Sequence, residues 1–226
     1  MAATPYGKVS TQEAYDFACF EGALRERIGD AFDVLQSVQV TIMGCGGLGS
    51  NIAVFLTRCG VGHLHLIDFD HVEASNLNRQ QYRVCDLGRP KTEALADLLH
   101  AINPFIDTKT DQVKVTDDNL RDLLEGTDII CEAFDSPAAK AMLVNGARLH
   151  FPEVPLVSGI GMAGNGPANL IRTRRISRNF WVCGDGVTDV NVVGTLFAPR
   201  VAVCAAHQAT IIMRLLLGLA DEKLDG

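Results

Sequence analysis

Apolar residues along the chain recur in two alternating rhythms, one helical and one extended, and glycines mark many of the changes between them. Residues 11–35 carry apolar positions at helical spacing among good helix formers such as Glu21, Ala23, Leu24 and Arg25, which predicts a helix. Residues 38–43 form a short β-branched run ending in a glycine cluster, the pattern of a strand feeding a turn. A helix over 51–58 follows, then a strand over 63–67 that ends at Asp68. A helix is predicted over 91–101, with Asn103-Pro104 as its stop signal. Beyond it come a strand within 106–115, a helix within 117–124 and a buried strand over 128–131. Pro137 opens a helix over 137–150, because its fixed φ suits a first turn whose N–H groups lack helical partners anyway. A strand over 154–158 closes the series.

Strands alternating with helices at this interval predict an α/β fold: a Rossmann-like, mostly parallel sheet with helices on both faces. The rhythm changes after Ser158. Glycines at 159, 161, 164 and 166 separate β-like pieces at 169–174 and 179–182, which predict an antiparallel C-terminal extension. A last helix over 199–218 would pack back on the sheet. The chain therefore reads as a single domain over 1–226. It comprises a helical N-terminal segment (1–36), a nucleotide-binding half (37–158), and antiparallel strands with the C-terminal helix (159–226).

Composition narrows the chemistry. The 226 residues, 47% of them hydrophobic, suffice for one substantial core. With 27 acidic against 20 basic side chains the formal charge is −7, which makes a nucleic-acid backbone a poor partner. The first twelve residues lack the apolar run of a secretory signal. The apolar stretch 201–219 is interrupted by His207, Gln208 and Arg214, so it reads as a buried amphipathic helix and not as a membrane span. Seven scattered cysteines (Cys19, Cys45, Cys59, Cys85, Cys131, Cys183, Cys204) form no C-x-x-C pair, so no structural zinc is expected. Free thiols suit a reducing compartment, and a cytoplasmic protein is expected.

Gly44-Cys45-Gly46-Gly47-Leu48-Gly49 is a G-x-G-x-x-G pattern between a predicted strand and a predicted helix. Glycine suits that turn because it is tight and because side chains would hold a phosphate away from backbone N–H groups. The helix that follows directs its unpaired N–H groups and dipole at the anion. Asp68, at the end of the next strand, sits where a carboxylate can bond ribose hydroxyls. The pattern points to a nucleotide without choosing between ATP and NAD. Further on, Arg79 and Lys91 stand among the amides and hydroxyls of Ser75-Asn76-Leu77-Asn78-Arg79-Gln80-Gln81-Tyr82 and Gly88-Arg89-Pro90-Lys91. In an acidic chain that is a candidate triphosphate clamp, with Arg79 as a bidentate fork and Lys91 as a mobile point charge.

These motifs, from the glycine loop through Ile67-Asp68-Phe69-Asp70 to Ala133-Phe134-Asp135-Ser136, resemble the ThiF/MoeB family, relatives of the ubiquitin-activating enzymes. Cys183-Gly184-Asp185-Gly186 and Ala198-Pro199-Arg200-Val201 look like the short ThiF type. The resemblance implies an adenylyltransferase that activates the C-terminal glycine carboxylate of a ThiS-like sulfur-carrier protein in thiamine biosynthesis, with ATP and Mg²⁺, as a homodimer. It implies that Gly44, Gly46, Gly47 and Gly49 form the phosphate loop and that Asp68 holds the ribose. Ser75, Asn76, Asn78 and Arg79 would contact the triphosphate, Lys91 its α-phosphate side, and Asp135 the magnesium. Asp135 also follows a buried strand at the edge where ligands of open α/β sheets gather, although it could instead cap the next helix.

Other residues carry alternatives. Arg25 or Arg27 could act across a dimer, or lie on a solvated helical face. Cys183 could take part in sulfur transfer, or be a packing thiol, and Cys45 reads as packing. Arg172, Arg174, Arg175 and Arg178 form a basic cluster that could dock an acidic carrier or simply be a solvated strand face. His207 and Gln208 read as polar core groups. The competing functions are a molybdopterin-type carrier or tRNA as the adenylated substrate, an NAD-dependent oxidoreductase, and a non-catalytic nucleotide-binding scaffold.

Overall fold

The computed structural model describes residues 11–219. Two helices, α1 (Thr11–Ile28) and α2 (Ala31–Ser37), replace the single helix expected over 11–35. The break falls at Gly29, whose φ of +60° ends α1. Across it, Arg25 reaches back and forms a forked pair with Asp33 at 2.9 and 2.5 Å.

The central run is β1 (Gln39–Met43), α3 (Gly47–Arg58), β2 (His63–Ile67), α4 (Lys91–Ile102), β3 (Asp107–Asp111), α5 (Leu120–Leu123), β4 (Ile129–Glu132), α6 (Pro137–His150) and β5 (Leu156–Gly159). The chain finishes with β6 (Arg172–Ser177), β7 (Phe180–Gly184), the short α7 (Val190–Val193) and the long α8 (Ala198–Leu216). The strands form one seven-stranded sheet in the order β3-β2-β1-β4-β5-β7-β6. Every pairing is parallel except β6 with β7. The antiparallel extension is therefore narrower than expected: β7 runs parallel to β5, and only the edge strand β6 is reversed.

Alternation along β1 explains the layering, since successive side chains of a strand point to opposite faces. Val40 and Ile42 join Ile52, Leu56, Leu95, Leu99, Ile211 and Ile212 beneath α3, α4 and α8. Met43 joins Ile67, Leu120, Ile130, Leu143 and Leu156 beneath α5 and α6. Helices thus cover both faces, as the near-continuous apolar strands require.

This order puts a topological switch point between β1 and β4, and the crevice outside their carboxyl ends is where open α/β sheets bind ligands. The two strand ends are drawn close there. Gly44 N donates to Ile67 O (2.8 Å), and Ala133 N donates to Met43 O (2.8 Å). Gly44 has φ +100°, and a Cβ on it would lie 2.9 Å from Ala133 O. A Cβ on Gly49 would fall 1.8 Å from Gly44 O, well inside contact distance. Gly49→Ala is accordingly expected to destabilise the fold by about 2–4 kcal/mol, because backbone and not a side-chain tip must move. Urea unfolding midpoints of the variant and wild type check this.

Candidate active site

The glycine turn is held from three sides. Asp68, 9% exposed, accepts the Cys45 N–H on Oδ2 (2.6 Å) and the Asp70 N–H on Oδ1 (2.9 Å). The Tyr82 hydroxyl donates to Cys45 O (2.7 Å). Asn51, inside α3, donates to Gly47 O (2.7 Å) and to Arg79 O (3.0 Å). Its own carbonyl accepts from Gln81 Nε2 (2.7 Å), so the segment after Asn78 is tied to the helix that follows the turn. Gly46 caps α3 with no side-chain hydrogen bond, so that helix end presents backbone N–H groups to the crevice. Burial pushes the Tyr82 hydroxyl and the Cys45 thiol up, keeping both neutral beside the turn.

Arg79 lies over the turn: its Nε is 3.6 Å from where a Cβ of Gly47 would stand. Nη1 is held by Ser75 O (3.0 Å) and Asn78 Oδ1 (2.9 Å), which orients the guanidinium. Lys91 opens α4 with its side chain 8% exposed, and its Nζ meets Asp70 Oδ2 at 2.9 Å. An ammonium has three N–H donors, so this pair leaves donors over for an anion. Asn76 is buried and accepts the Glu73 N–H on Oδ1 (3.0 Å), a bond that shapes a one-turn 3₁₀ helix over Ala74–Asn76. Ser75 and Asn78 are exposed, and Asn78 also donates to Leu196 O (3.1 Å), the approach to α8.

Asp135 is exposed, follows β4 and makes no side-chain hydrogen bond to the described residues. The alternative of Asp135 as a helix cap is corrected: Ser136 caps α6, accepting the Ala139 N–H at 3.4 Å. No group of three or more His, Cys, Asp or Glu side chains placed to hold a metal occurs among the described residues. A single exposed carboxylate beside a phosphate loop fits Mg²⁺, which usually binds one or two carboxylates and completes its shell with phosphates and water.

Two expectations meet a different environment. Cys183 is fully buried, and burial pushes its thiol up to about 12, so it packs in the core and does not present a thiolate. Arg25 is engaged with Glu21 and Asp33 and stacks 4.5 Å over Phe32, whereas Arg27 is exposed. The basic cluster lies on the edge strand β6 and the turn after it, with Arg175 5.1 Å over Trp181.

The motifs around Cys183 and Arg200 acquire a structural role. Arg200, 4% exposed, pairs with Asp185 Oδ2 at 2.5 Å and donates to Gly166 O and Pro167 O at 2.6 and 2.8 Å. It thereby locks α8, the end of β7 and the glycine-rich connection together. Burial raises the Asp185 carboxyl, but N–H donation from Thr188 and Val187, the Thr188 hydroxyl and Arg200 outweigh it and leave it below the usual carboxylate range. Glu132, Lys140 and Ser158 also converge beside Asp135, and the chain pattern does not flag them because a buried Glu ending a strand looks like any polar boundary residue. Gln208 is fully buried and donates to Glu132 O (3.1 Å), the polar core group that the pattern suggested, whereas His207 is half-buried in a groove and meets Thr173 Oγ1 at 3.1 Å.

Residues 22–226, which hold the glycine turn, Arg79 and Lys91, match a known family model described as the ThiF family. The chain belongs to the ThiF family. Among ThiF relatives, it is 32% identical over 197 residues to the molybdopterin-synthase adenylyltransferase of Escherichia coli, covering 84% of this chain and 77% of that protein. Against the Salmonella typhimurium protein of the same name it is 30% identical over 192 residues, covering 81% of this chain and 75% of that protein. It is 28% identical to the adenylyltransferase and sulfurtransferase UBA4 of Yarrowia lipolytica, of which it spans about half (48%), covering 84% of this chain. In structure it resembles the E. coli tRNA N6-threonylcarbamoyladenosine dehydratase TcdA, with a TM-score of 0.81 at 21% identity, covering 92% of this chain and 98% of that one. That likeness fixes the ThiF fold and nothing finer. No helix among the described residues is long and apolar enough to cross a membrane.

Two outcomes follow from burial. Iodoacetamide at neutral pH is expected to label the exposed Cys85 and to leave Cys183 unmodified until the chain unfolds, as read by peptide mass spectrometry. Asp185→Asn should cost stability at neutral pH. Because the folded Asp185 carboxyl is depressed, that difference is fully present above its unfolded value of about 4 and vanishes as pH falls through the folded value. Thermal unfolding of both proteins across this range checks the sign.

Proposed function

We propose that this ThiF-family chain is an ATP-dependent adenylyltransferase that activates the C-terminal glycine carboxylate of a ThiS-like, ubiquitin-fold sulfur carrier, in thiamine biosynthesis. The observation that carries the reading is Arg79 held over Gly47 by Ser75 O and Asn78 Oδ1, with Nε and Nη2 left for a phosphate. A dinucleotide enzyme already satisfies its pyrophosphate on the glycine loop, so an oriented guanidinium there favours a third phosphate over NAD.

In the reaction, a carboxylate oxygen of the carrier forms a bond to the α-phosphorus, and the bond from that phosphorus to the bridging oxygen breaks. The electron pair leaves with pyrophosphate. A terminal carboxylate is already ionised at neutral pH, so no general base is needed. Catalysis then consists of bringing two anions together and neutralising the charge that develops. Gly46, Gly47 and Gly49 would bring backbone N–H groups to the phosphates, Gly44 makes the turn with its own N–H spent on Ile67 O, and Asp68 and Asn76 shape the pocket around ribose and triphosphate. Arg79 and Lys91 supply positive charge, Lys91 turning from Asp70 toward the α-phosphate. Asp135 would hold Mg²⁺, which when bound offsets charge on the phosphates. In a homodimer, Arg27 of one copy is better placed than the clasped Arg25 to reach the other.

A second reading keeps the chemistry and changes the carrier: the relatives at 30–32% identity are molybdopterin-synthase adenylyltransferases, which favours a molybdopterin-type carrier. Carrier-dependent ATP–pyrophosphate exchange with a panel of carriers ending in Gly-Gly separates the two. Exchange is expected with the ThiS-like carrier and is lost when its last glycine is removed. Asp135→Ala and Arg79→Ala should each lower it by about 10²-fold or more without lowering the melting temperature. Wild-type exchange in Asp135→Ala would remove that carboxylate from the mechanism.

A further inference from the structure

Glu132, the last residue of β4, is fully buried. Both of its carboxylate oxygens are occupied. Oε1 accepts the Phe134 N–H (2.7 Å) and Lys140 Nζ (3.0 Å); Oε2 accepts Lys140 Nζ (2.8 Å) and the Ser158 hydroxyl (2.5 Å). Lys140, on α6, spends its third donor on Gly159 O at 2.9 Å. One ion pair therefore joins the end of β4, the end of β5 and the first turns of α6. A pair with a fully buried Glu132 and a Lys140 only 22% exposed is a weak source of net stability, since an apolar pair of similar volume often serves a core as well or better. What an apolar pair cannot do is hold a particular backbone N–H.

That N–H belongs to Phe134, immediately before Asp135. The same loop abuts the phosphate turn: Ala133 O and Phe134 Cδ1 lie 2.9 and 3.2 Å from where a Cβ of Gly44 would stand. Asp135 itself has no side-chain partner among the described residues, so its position depends on the backbone it stands on. We propose that Glu132 and Lys140 are positioning residues: buried Glu132, held by half-buried Lys140, grips the Phe134 N–H and thereby sets the Asp135 carboxylate against the glycine turn. The inference rests on Asp135 acting on the nucleotide's metal, as proposed above. It adds that the metal-side geometry is governed from inside the sheet and not by the exposed loop.

The test uses the full chain with the paired substitution Glu132→Met/Lys140→Met, which removes both charges together with the acceptor of the Phe134 N–H, and with Lys140→Arg as the conservative variant. Amide hydrogen exchange in the absence of nucleotide and metal is the first readout. In the paired variant the Phe134 amide should exchange about tenfold faster, with the β1 amides unchanged. Mg²⁺ should then lose most of its enhancement of ATP affinity, as in Asp135→Ala, while metal-free ATP binding stays within about twofold. In pyrophosphate exchange, kcat should fall about tenfold with KM for ATP little changed, and Lys140→Arg should restore all three readouts. Unchanged Phe134 exchange, or an intact Mg²⁺ effect in the paired variant while Asp135→Ala loses it, overturns the brace alone. An intact Mg²⁺ effect in Asp135→Ala overturns the brace and the metal assignment together. A wild-type chain inactive with every carrier would defeat the carrier reading, and the amide and Mg²⁺ measurements would still decide the brace. If the paired variant does not fold, Ser158→Ala, which removes one bond to Oε2, should show the same changes in smaller measure; none in that variant counts against the brace.

Discussion

The structure depends on how closely the backbones of β1, β4 and the start of α3 approach one another. Gly44 passes so near Ala133 O, and Gly49 so near Gly44 O, that neither position has room for a side chain. Without that approach the two strand ends would stand apart, the α3 N–H groups would point elsewhere, and the switch point would be a gap instead of a walled crevice. The constraint is steric, so it admits little compromise: glycine is required by close backbone at both positions, and at Gly44 also by a positive φ.

Around this fixed point, polar side chains act mostly as braces. Asp68, the expected ribose ligand, already accepts the Cys45 N–H and the Asp70 N–H, so its carboxylate shapes the turn. Asn51, Gln81 and Tyr82 bind backbone carbonyls or one another and carry no charge, as suits a wall that must stay neutral beside an anion. The buried pair of Arg200 with Asp185 and the pair of half-buried Lys140 with buried Glu132 stand behind the crevice and fix the loops that border it. The positive charge proposed to meet a triphosphate is that of Arg79 and Lys91. Each is restrained by a local partner that leaves donors free, which lowers the cost of ordering them when an anion arrives.

Much of the fold is legible in the chain. β1 and α6 fall within a residue of where their patterns predict, because a β-branched run and a proline at a helix start are local signals. The division of 11–35 into two helices is less legible, since Gly29 is tolerated inside a helical pattern and becomes a stop only when the chain needs to turn. The direction of β7 is not legible at all. Its residues suit either orientation, and pairing with β5 on one side and β6 on the other decides it.

The site divides along the same line. Glycine spacing, Asp68, Arg79, Lys91 and Asp135 are visible in sequence because their requirements, a tight turn and charge near an anion, are written in residue type and local order. Glu132 with Lys140 and Asp185 with Arg200 are invisible there, and so is the burial that keeps Cys183 out of reach, because each depends on elements brought together from distant parts of the chain. By itself the sequence determined the α/β alternation, the glycine turn and the residue types proposed to meet a nucleotide. Only the tertiary structure decided which of those groups are free, which are already spent on the backbone, and which buried pairs aim the rest, because hydrogen-bond satisfaction in a core is a property of the packed neighbours and not of any one segment.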